Sequence, residues 1–498
     1  MTGWSLRIRG VTEWVNDIHS QLNRTRVSAI RRPRSIEELQ SAIREKGTFS
    51  VAGGRHAMGG QQFGSDTTLL DMGEMNRVLE FDSREGIVEV QGGIQWPELI
   101  SWLVSRQQGI SGRQWGIAQK QTGADRLSLG GALAANIHGR GLTMKPIIGD
   151  VESLVLIDAD GQPIECSRRQ NSELFSLVIG GYGLFGVIAT IRLRLIERQK
   201  VERVVEVRDI DDIVAAFDQR IAAGFTYGDF QFSFEEQSER FLRSGVFACY
   251  RPVSADVDVD SAQAELSADD WRRILYLAHA DKERLYHEYT HYYLSTSGQI
   301  YWSDQQQLGI YLDDYHRALD QALEAPTPAT EIITEIYVPR ERLVDFMAAA
   351  REEFRSNGVS IIYGTVRLIE KDDESFLAWA TQPYACIIFN LHTEHSAAAM
   401  ARSAAAFRAL IDLAIARNGS YFLTYHRHAT RAQIEACYPQ FSRFLEQKSA
   451  YDPDGRFQSD WYKHYRQMFR YESNGGGSSV PRGSDPEASR EETEEPDS

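Results

Sequence analysis

At 498 residues, 42% hydrophobic, 25% charged and 10% aromatic, the chain has the composition of an ordinary globular protein with length for two to four domains. Its formal net charge of -16, with no compensating basic stripe, argues against a nucleic-acid partner. Four scattered cysteines without a C-x-x-C pair point to neither a disulfide framework nor a zinc site, and no stretch approaches the ~20 apolar residues of a membrane span. A cytoplasmic protein without a metal site is therefore expected.

In chain order, residues 33–46 form a predicted helix opened by a capping box, with Ser35 at the cap and Glu38 three residues on. A short apolar strand over 49–52 runs into a glycine-rich turn at 50–63, in which His56 sits among Gly53, Gly54, Gly59 and Gly60. These glycines lack a Cβ and can take positive φ, so successive N–H groups can converge on a diphosphate. No Gly-Lys-Ser/Thr follows and the G-x-G-x-x-G spacing is absent, so the turn is neither a Walker loop nor a Rossmann fingerprint.

A strand over 67–72 and a helix over 96–105 come next. Residues 121–141 again mix glycine and alanine with a lone histidine, His138, and leave room for another molecule to pack. After a strand over 151–158, a third glycine-rich run follows at 180–195. Three such segments, each beside a strand, suggest one extended ligand laid across a sheet. From 201 to 420, helical stretches at 264–294 and 396–417 alternate with strands at 331–338, 361–368 and 384–391. Beyond 472 the composition is Gly, Ser, Pro and acid: between 485 and 498 seven acidic residues face one arginine, which reads as a disordered tail.

The segment Leu127-Ser128-Leu129-Gly130-Gly131-Ala132-Leu133-Ala134-Ala135-Asn136-Ile137-His138-Gly139, followed by Gly180-Gly181-Tyr182-Gly183-Leu184-Phe185-Gly186-Val187, resembles the flavin segment of the vanillyl-alcohol oxidase, or PCMH-type, family of FAD-dependent oxidoreductases. Within it the likeness is to aldonolactone and alditol oxidases and decaprenylphosphoryl-ribose oxidase, over residues 20–200 and again at 420–465. The resemblance implies an α+β fold. A lead (1–25) precedes a two-part FAD-binding domain of two small α/β subdomains (26–200). An α+β cap with a central antiparallel sheet follows (201–420), then a segment returning to the FAD domain (421–471) and the acidic tail (472–498).

By the same resemblance the backbone of Ala52, Gly53, Gly54, Arg55, His56, Ala57, Met58, Gly59, Gly60 and Gln61 holds the FAD pyrophosphate. Gly123, Ser128, Leu129, Gly130, Gly131, Ala135, Asn136, His138 and Gly139 line the isoalloxazine and ribityl chain. Val187 or Ile188 meets the adenine half, and Phe422 reaches the cofactor from the returning segment. His56 stands where relatives carry a histidine bonded to the flavin 8α-methyl carbon. Ala57 replaces the usual serine but fits the same space, so a covalent link is expected, with hydrogen bonding in a noncovalent site as the alternative. No cysteine lies between Trp115 and Gly131 to make a second link.

Alcohol oxidation by a flavin needs a C–H bond aimed at N5 and a group that handles the hydroxyl proton. Arg367 resembles the arginine of the Glu-x-Arg strand of alditol and gulonolactone oxidases, although Thr365 replaces the glutamate. Its alternative is an ion pair with Asp372 or Asp373. Asn390 and His392 share one strand face, because side chains two apart point the same way. Either matches the substrate-facing histidine of alditol oxidases. Tyr425 or His426 stands where relatives place a lysine, tyrosine or histidine beside the flavin N1–C2 edge. The aromatic belt at 286–293, 301–304 and 311–315 reads as a helix core stripe or as a sugar-binding surface.

The expected activity is oxidation of a hydroxyl to a carbonyl in a polyol, sugar or aldonolactone, with molecular oxygen or another electron acceptor. Oxidation of a carrier-linked sugar, an amine or side-chain dehydrogenation of the cytokinin-dehydrogenase kind, and an electron-transferring flavoprotein partner are the alternatives.

Overall fold

The computed structural model describes residues 13–470, apart from 111, 261, 310, 311 and 313; the expected acidic tail and residues 1–12 of the lead lie outside them. Residues 13–25, expected only as a lead, form part of a two-stranded ribbon, Glu13–Val15 against Thr25–Val27.

A small parallel sheet orders its strands Ala29–Arg31, Thr68–Asp71, Phe49–Ala52. Parallel neighbours need a crossover. The helix Ile36–Arg44 supplies it, starting where the Ser35 hydroxyl accepts the Glu38 amide at 3.2 Å. Its buried Leu39, Ala42 and Ile43 fall on one face at helical spacing and share a core with Phe49 and Leu70. A five-stranded antiparallel sheet, in spatial order Pro163–Ser167, Val151–Ile157, Val187–Arg194, Ile87–Gln91, Val78–Asp82, lies beside it. Residues 452–458 then return: Phe457 bridges Phe49 in parallel, and the Gln458 amide donates to the Phe49 carbonyl at 2.7 Å.

The third unit is an eight-stranded sheet whose neighbouring strands all pair antiparallel, in the order Ile300–Trp302, Lys200–Asp209, Ser244–Val253, Tyr227–Phe232, Ile361–Ile369, Tyr384–Glu394, Ala329–Pro339, Ser420–Tyr421. Its long strands are buried on both faces. Ile336 on one face packs in the main core with Phe346, Met347 and Leu410 of the helices Leu343–Asn357 and Ala397–Ile415. The opposite face carries Glu331, Ile333 and Glu335, which line a cavity.

The stretch expected as one helix over 264–294 is two, Ala268–Ala280 and Lys282–Ser295. Asp281 divides them: its carboxylate accepts the Arg284 amide at 3.0 Å and caps the second helix. Among the described residues no helix is long and apolar enough to cross a membrane.

Candidate active site

A cavity of about 880 Å³ lies between the glycine-rich loops and the eight-stranded sheet. On the loop side, the turn after the strand Phe49–Ala52 packs onto the start of the helix Leu129–Ala135, where the Ser128 hydroxyl accepts the Gly131 amide at 3.3 Å. The approach is too close for side chains. A Cβ on Gly53 would sit 1.9 Å from Ser128 Oγ, and one on Gly130 would sit 2.9 Å from the Gly92 carbonyl oxygen. What remains is a cradle walled by backbone and by small side chains. Gly53→Ala is therefore expected to push the turn off the helix and to weaken retention of any ligand in the cradle. Cofactor content of the purified variant, against an unchanged far-ultraviolet spectrum, measures this.

Of the expected cofactor residues, 53–58 and Gln61 line the cavity, as do Gly123, Ser128, Gly130, Gly131, Ala135, His138, Val187, Ile188 and Phe422. Ala52, Gly59, Gly60, Leu129, Asn136 and Gly139 are not on its wall. Ala52 and Leu129 are buried in the core. A Cβ on Gly59 would lie 2.4 Å from the Tyr425 carbonyl oxygen, so this glycine admits the returning segment rather than a ligand. Asn136, in the left-handed region at φ 50°, ties three parts of the chain together: its amide donates to Asp372 at 2.8 Å and to Ser375, and its side-chain oxygen accepts the Ile148 amide.

His56 is buried, and its Nδ1 lies 2.8 Å from Nε2 of His19. Burial, with the neighbouring His19 adding to it, lowers its pKa to about 3; burial lowers that of His19 to about 4. Both imidazoles are therefore neutral near pH 7, and a neutral ring is the nucleophilic form.

Across the cavity, Glu335 is the hub of a buried polar cluster. Its Oε1 receives His138 Nε2 at 2.6 Å, Cys386 Sγ at 3.3 Å and the Tyr337 hydroxyl, and its Oε2 receives the Tyr425 hydroxyl at 3.0 Å. His138 Nδ1 meets the Gly139 carbonyl at 2.9 Å, so both ring nitrogens face acceptors. Burial pushes the Glu335 pKa up, but the charge and hydrogen bond of His138 overcome it and hold the carboxyl at about 2.

Arg367 is buried on the neighbouring strand, opposite Cys386 in register, and its charge also favours the Glu335 carboxylate. The alternative partners are engaged elsewhere: Asp372 by Asn136 and Ser375, Asp373 by Lys145 at 2.7 Å. Asn390 lines the cavity, and its Oδ1 has no hydrogen-bond partner among the described residues. His392, two residues on, does not line it and turns towards Glu331. Of the adjacent pair in the returning segment, Tyr425 reaches the cavity; His426 is buried away from it, stacked on His428 at 5.5 Å.

Sequence reasoning missed Glu335, Glu331 and His19. The glutamates carried a signal: two carboxylates four apart in a strand otherwise apolar enough for a core. Farther along, Arg203 lies among Tyr250, Tyr293 and Tyr301, 4.6–5.6 Å from their ring centres, and Tyr286, Tyr289 and Tyr292 join Tyr293 and Tyr301 on the wall. The aromatic belt thus faces the cavity rather than only a core.

The loops that build the cradle fall inside residues 27–167, which match the family described as FAD binding domain. The chain thus carries an FAD-binding domain, and the relatives it matches are oxidases and dehydrogenases by name. It is 31% identical over 240 residues to cytokinin dehydrogenase 3 of Oryza sativa subsp. japonica, covering 46% of this chain and 43% of that one. It is 28% identical over 169 residues to L-gulonolactone oxidase of Bos taurus (33% and 36%). It is 29% identical over 145 residues to L-galactono-1,4-lactone dehydrogenase 2, mitochondrial, of Oryza sativa subsp. japonica (29% and 24%). The chain thus spans less than half the length of each of these relatives.

Proposed function

We propose that the chain is an FAD-dependent oxidase or dehydrogenase that converts a hydroxyl to a carbonyl in a polyol, sugar or aldonolactone. The observation that carries this reading is the Glu335–His138–Tyr425 cluster, with Arg367 beside it, set opposite the glycine cradle in one cavity. The cradle fits FAD: its loops approach to within a distance that admits no Cβ and present backbone rather than charge, so an acidic chain can hold a diphosphate. Bound there, FAD supplies the hydride acceptor. Residues 53–58 would hold the diphosphate, residues 128–138 the ring side, and His56 the covalent bond.

On the opposite wall Arg367 sets a positive charge beside the His138–Glu335 pair. That charge stabilises a substrate oxygen as its proton passes to the Glu335 carboxylate, which lines the same cavity. Burial keeps the Tyr425 hydroxyl far above its usual pKa, so it stays a neutral donor and orients Glu335 rather than taking a proton. The Asn390 side-chain oxygen accepts from a substrate hydroxyl, and the tyrosines around Arg203 offer flat faces to a ring or carbon chain. The FAD domain is read as 26–200 plus 421–471, and the eight-stranded sheet as the wall of a cap.

A second reading, oxidation of an amine, rests on Asp229. It lines the cavity, is buried, and has one carboxylate oxygen without a hydrogen-bond partner among the described residues, which suits a nitrogen donor.

Acid precipitation of the purified protein tests the cofactor. Yellow retained in the pellet, and released to the supernatant by His56→Ala, is the expected result; a wild-type pellet without colour removes the covalent bond. Reduction of the flavin by a panel of polyols, aldonolactones and secondary amines tests the reaction, and bleaching by amines alone would replace the first reading with the second.

A further inference from the structure

Glu331 lies on the same strand face as Glu335, four residues and about 13 Å away. Three imidazoles surround it. His279 Nε2 lies 3.3 Å and His392 Nδ1 4.0 Å from its Oε1, and His316 Nδ1 lies 3.1 Å from its Oε2, which also receives the Tyr315 hydroxyl. These side chains come from four separate parts of the chain: the end of the helix Ala268–Ala280, the start of the helix Tyr315–Ala322, and paired positions of the strands Ala329–Pro339 and Tyr384–Glu394. The side chains of Glu331, His279 and His316 are more than nine-tenths buried.

The proton inventory around Glu331 differs from that at Glu335. All three imidazole nitrogens facing Glu331 are buried and lack a hydrogen-bond partner among the described residues. For His279 the tautomer is fixed, because Nδ1 lies 2.8 Å from the Leu275 carbonyl, which can only accept. Nε2, the other ring nitrogen, points at the Glu331 Oε1 atom 3.3 Å away. A metal cation seated between these two atoms would bond to both. At Glu335, by contrast, His138 makes a short, directed hydrogen bond and leaves no such gap.

We propose that His279 Nε2, His392 Nδ1 and Glu331 form a binding site for a divalent transition-metal ion in the cap wall. The ligand atoms of these three residues lie within 4.8 Å of one another. The His279 and His392 contacts to Glu331 straddle the ~3.4 Å edge of a tetrahedron with bonds of ~2.1 Å. Two imidazoles and one carboxylate are an N/O donor set of the kind that suits Zn²⁺ or Fe²⁺ and leaves a fourth position open to an oxygen ligand. Leu275 fixes the His279 tautomer, while the Tyr315 hydroxyl bonds the other carboxylate oxygen and His316 packs 3.1 Å from it. Glu331 and His316 also line the cavity, so the ion would sit at its wall. Cysteine spacing gave no hint of it, since none of its ligands is a cysteine.

The test uses the full-length flavoprotein, stripped with a chelator, exposed to Zn²⁺ and passed through gel filtration. One zinc per chain is expected, with an X-ray absorption edge showing only nitrogen and oxygen donors and imidazole scattering. His279→Ala should reduce bound zinc to background while flavin absorbance is retained, and His316→Gln should weaken binding by about 10–100-fold. Wild-type protein that holds no zinc, a sulfur donor in the absorption data, or full retention by the His279→Ala protein would overturn the site. If His279→Ala does not fold, the wild-type stoichiometry and donor set decide the question alone.

Discussion

Glu335→Gln is expected to lower kcat by about 10²–10⁴-fold with a much smaller change in KM. The carboxylate receives donors from His138, Tyr337, Cys386 and Tyr425. A glutamine keeps one acceptor oxygen and turns an NH₂ towards donors that have nothing to give it. It also removes the carboxylate that takes the substrate's hydroxyl proton. Arg367 stays in place, but with no carboxylate to take the proton the loss is felt where charge develops on the substrate oxygen. Steady-state kinetics on whichever substrate reduces the flavin measures the split. A variant that keeps its kcat and loses only KM would make Glu335 a binding residue.

The same substitution changes the acid limb of stability. The Glu335 carboxyl is held at about 2, below its ordinary 4.5. A depressed carboxyl contributes stability that is present above the unfolded pKa and is lost as pH falls through the folded one. The wild type should therefore lose on the order of 3 kcal/mol between pH 5 and pH 2 from this group, a loss that Glu335→Gln does not show. Urea midpoints across that window report the difference in slope.

The parts of the site that could be read from the sequence are the ones built locally. The turn at 50–63 and the segment at 127–139 carry their chemistry in consecutive glycines, so no tertiary information is needed to see a cradle. Glu335 is different. The strand at 331–338 was legible, but which of its faces meets the cavity depends on its register with Tyr384–Glu394, where Glu335 stands opposite Ile388 and Glu331 opposite His392. Alternation correctly grouped Asn390 with His392, yet two residues along a strand are about 6.6 Å, enough to put one on the cavity wall and the other beside Glu331. Tyr425 and His426 are adjacent in an irregular segment with no period to sort them. His19 is 37 residues from His56, in a stretch whose composition resembles a lead, and only the folded chain brings the two rings together.

Asp452→Ala is expected to destabilise the protein by about 3–5 kcal/mol and to loosen the flavin cradle with it. Lys448 and Asp452, one turn apart at the end of the helix Phe441–Tyr451, form an ion pair buried almost completely from solvent. The aspartate also accepts the amides of Arg456 and Phe457, each at 2.8 Å. Those bonds fix the turn that delivers Phe457 alongside Phe49, where the Phe49 amide donates to the Arg456 carbonyl at 2.6 Å. Phe49 opens the strand that runs directly into the turn carrying His56. Alanine at 452 leaves the lysine ammonium buried without its carboxylate, and frees the two amides that hold the returning segment against that strand. Lys448→Met combined with Asp452→Asn should recover most of the stability, because it removes the stranded charge and keeps a side-chain oxygen for one amide. Urea denaturation followed by flavin fluorescence and by tryptophan fluorescence separates the two effects. If the cradle depends on the returning segment, flavin exposure in Asp452→Ala precedes global unfolding; if both signals move together, the segment and the cradle unfold as one unit and Asp452 acts on stability alone.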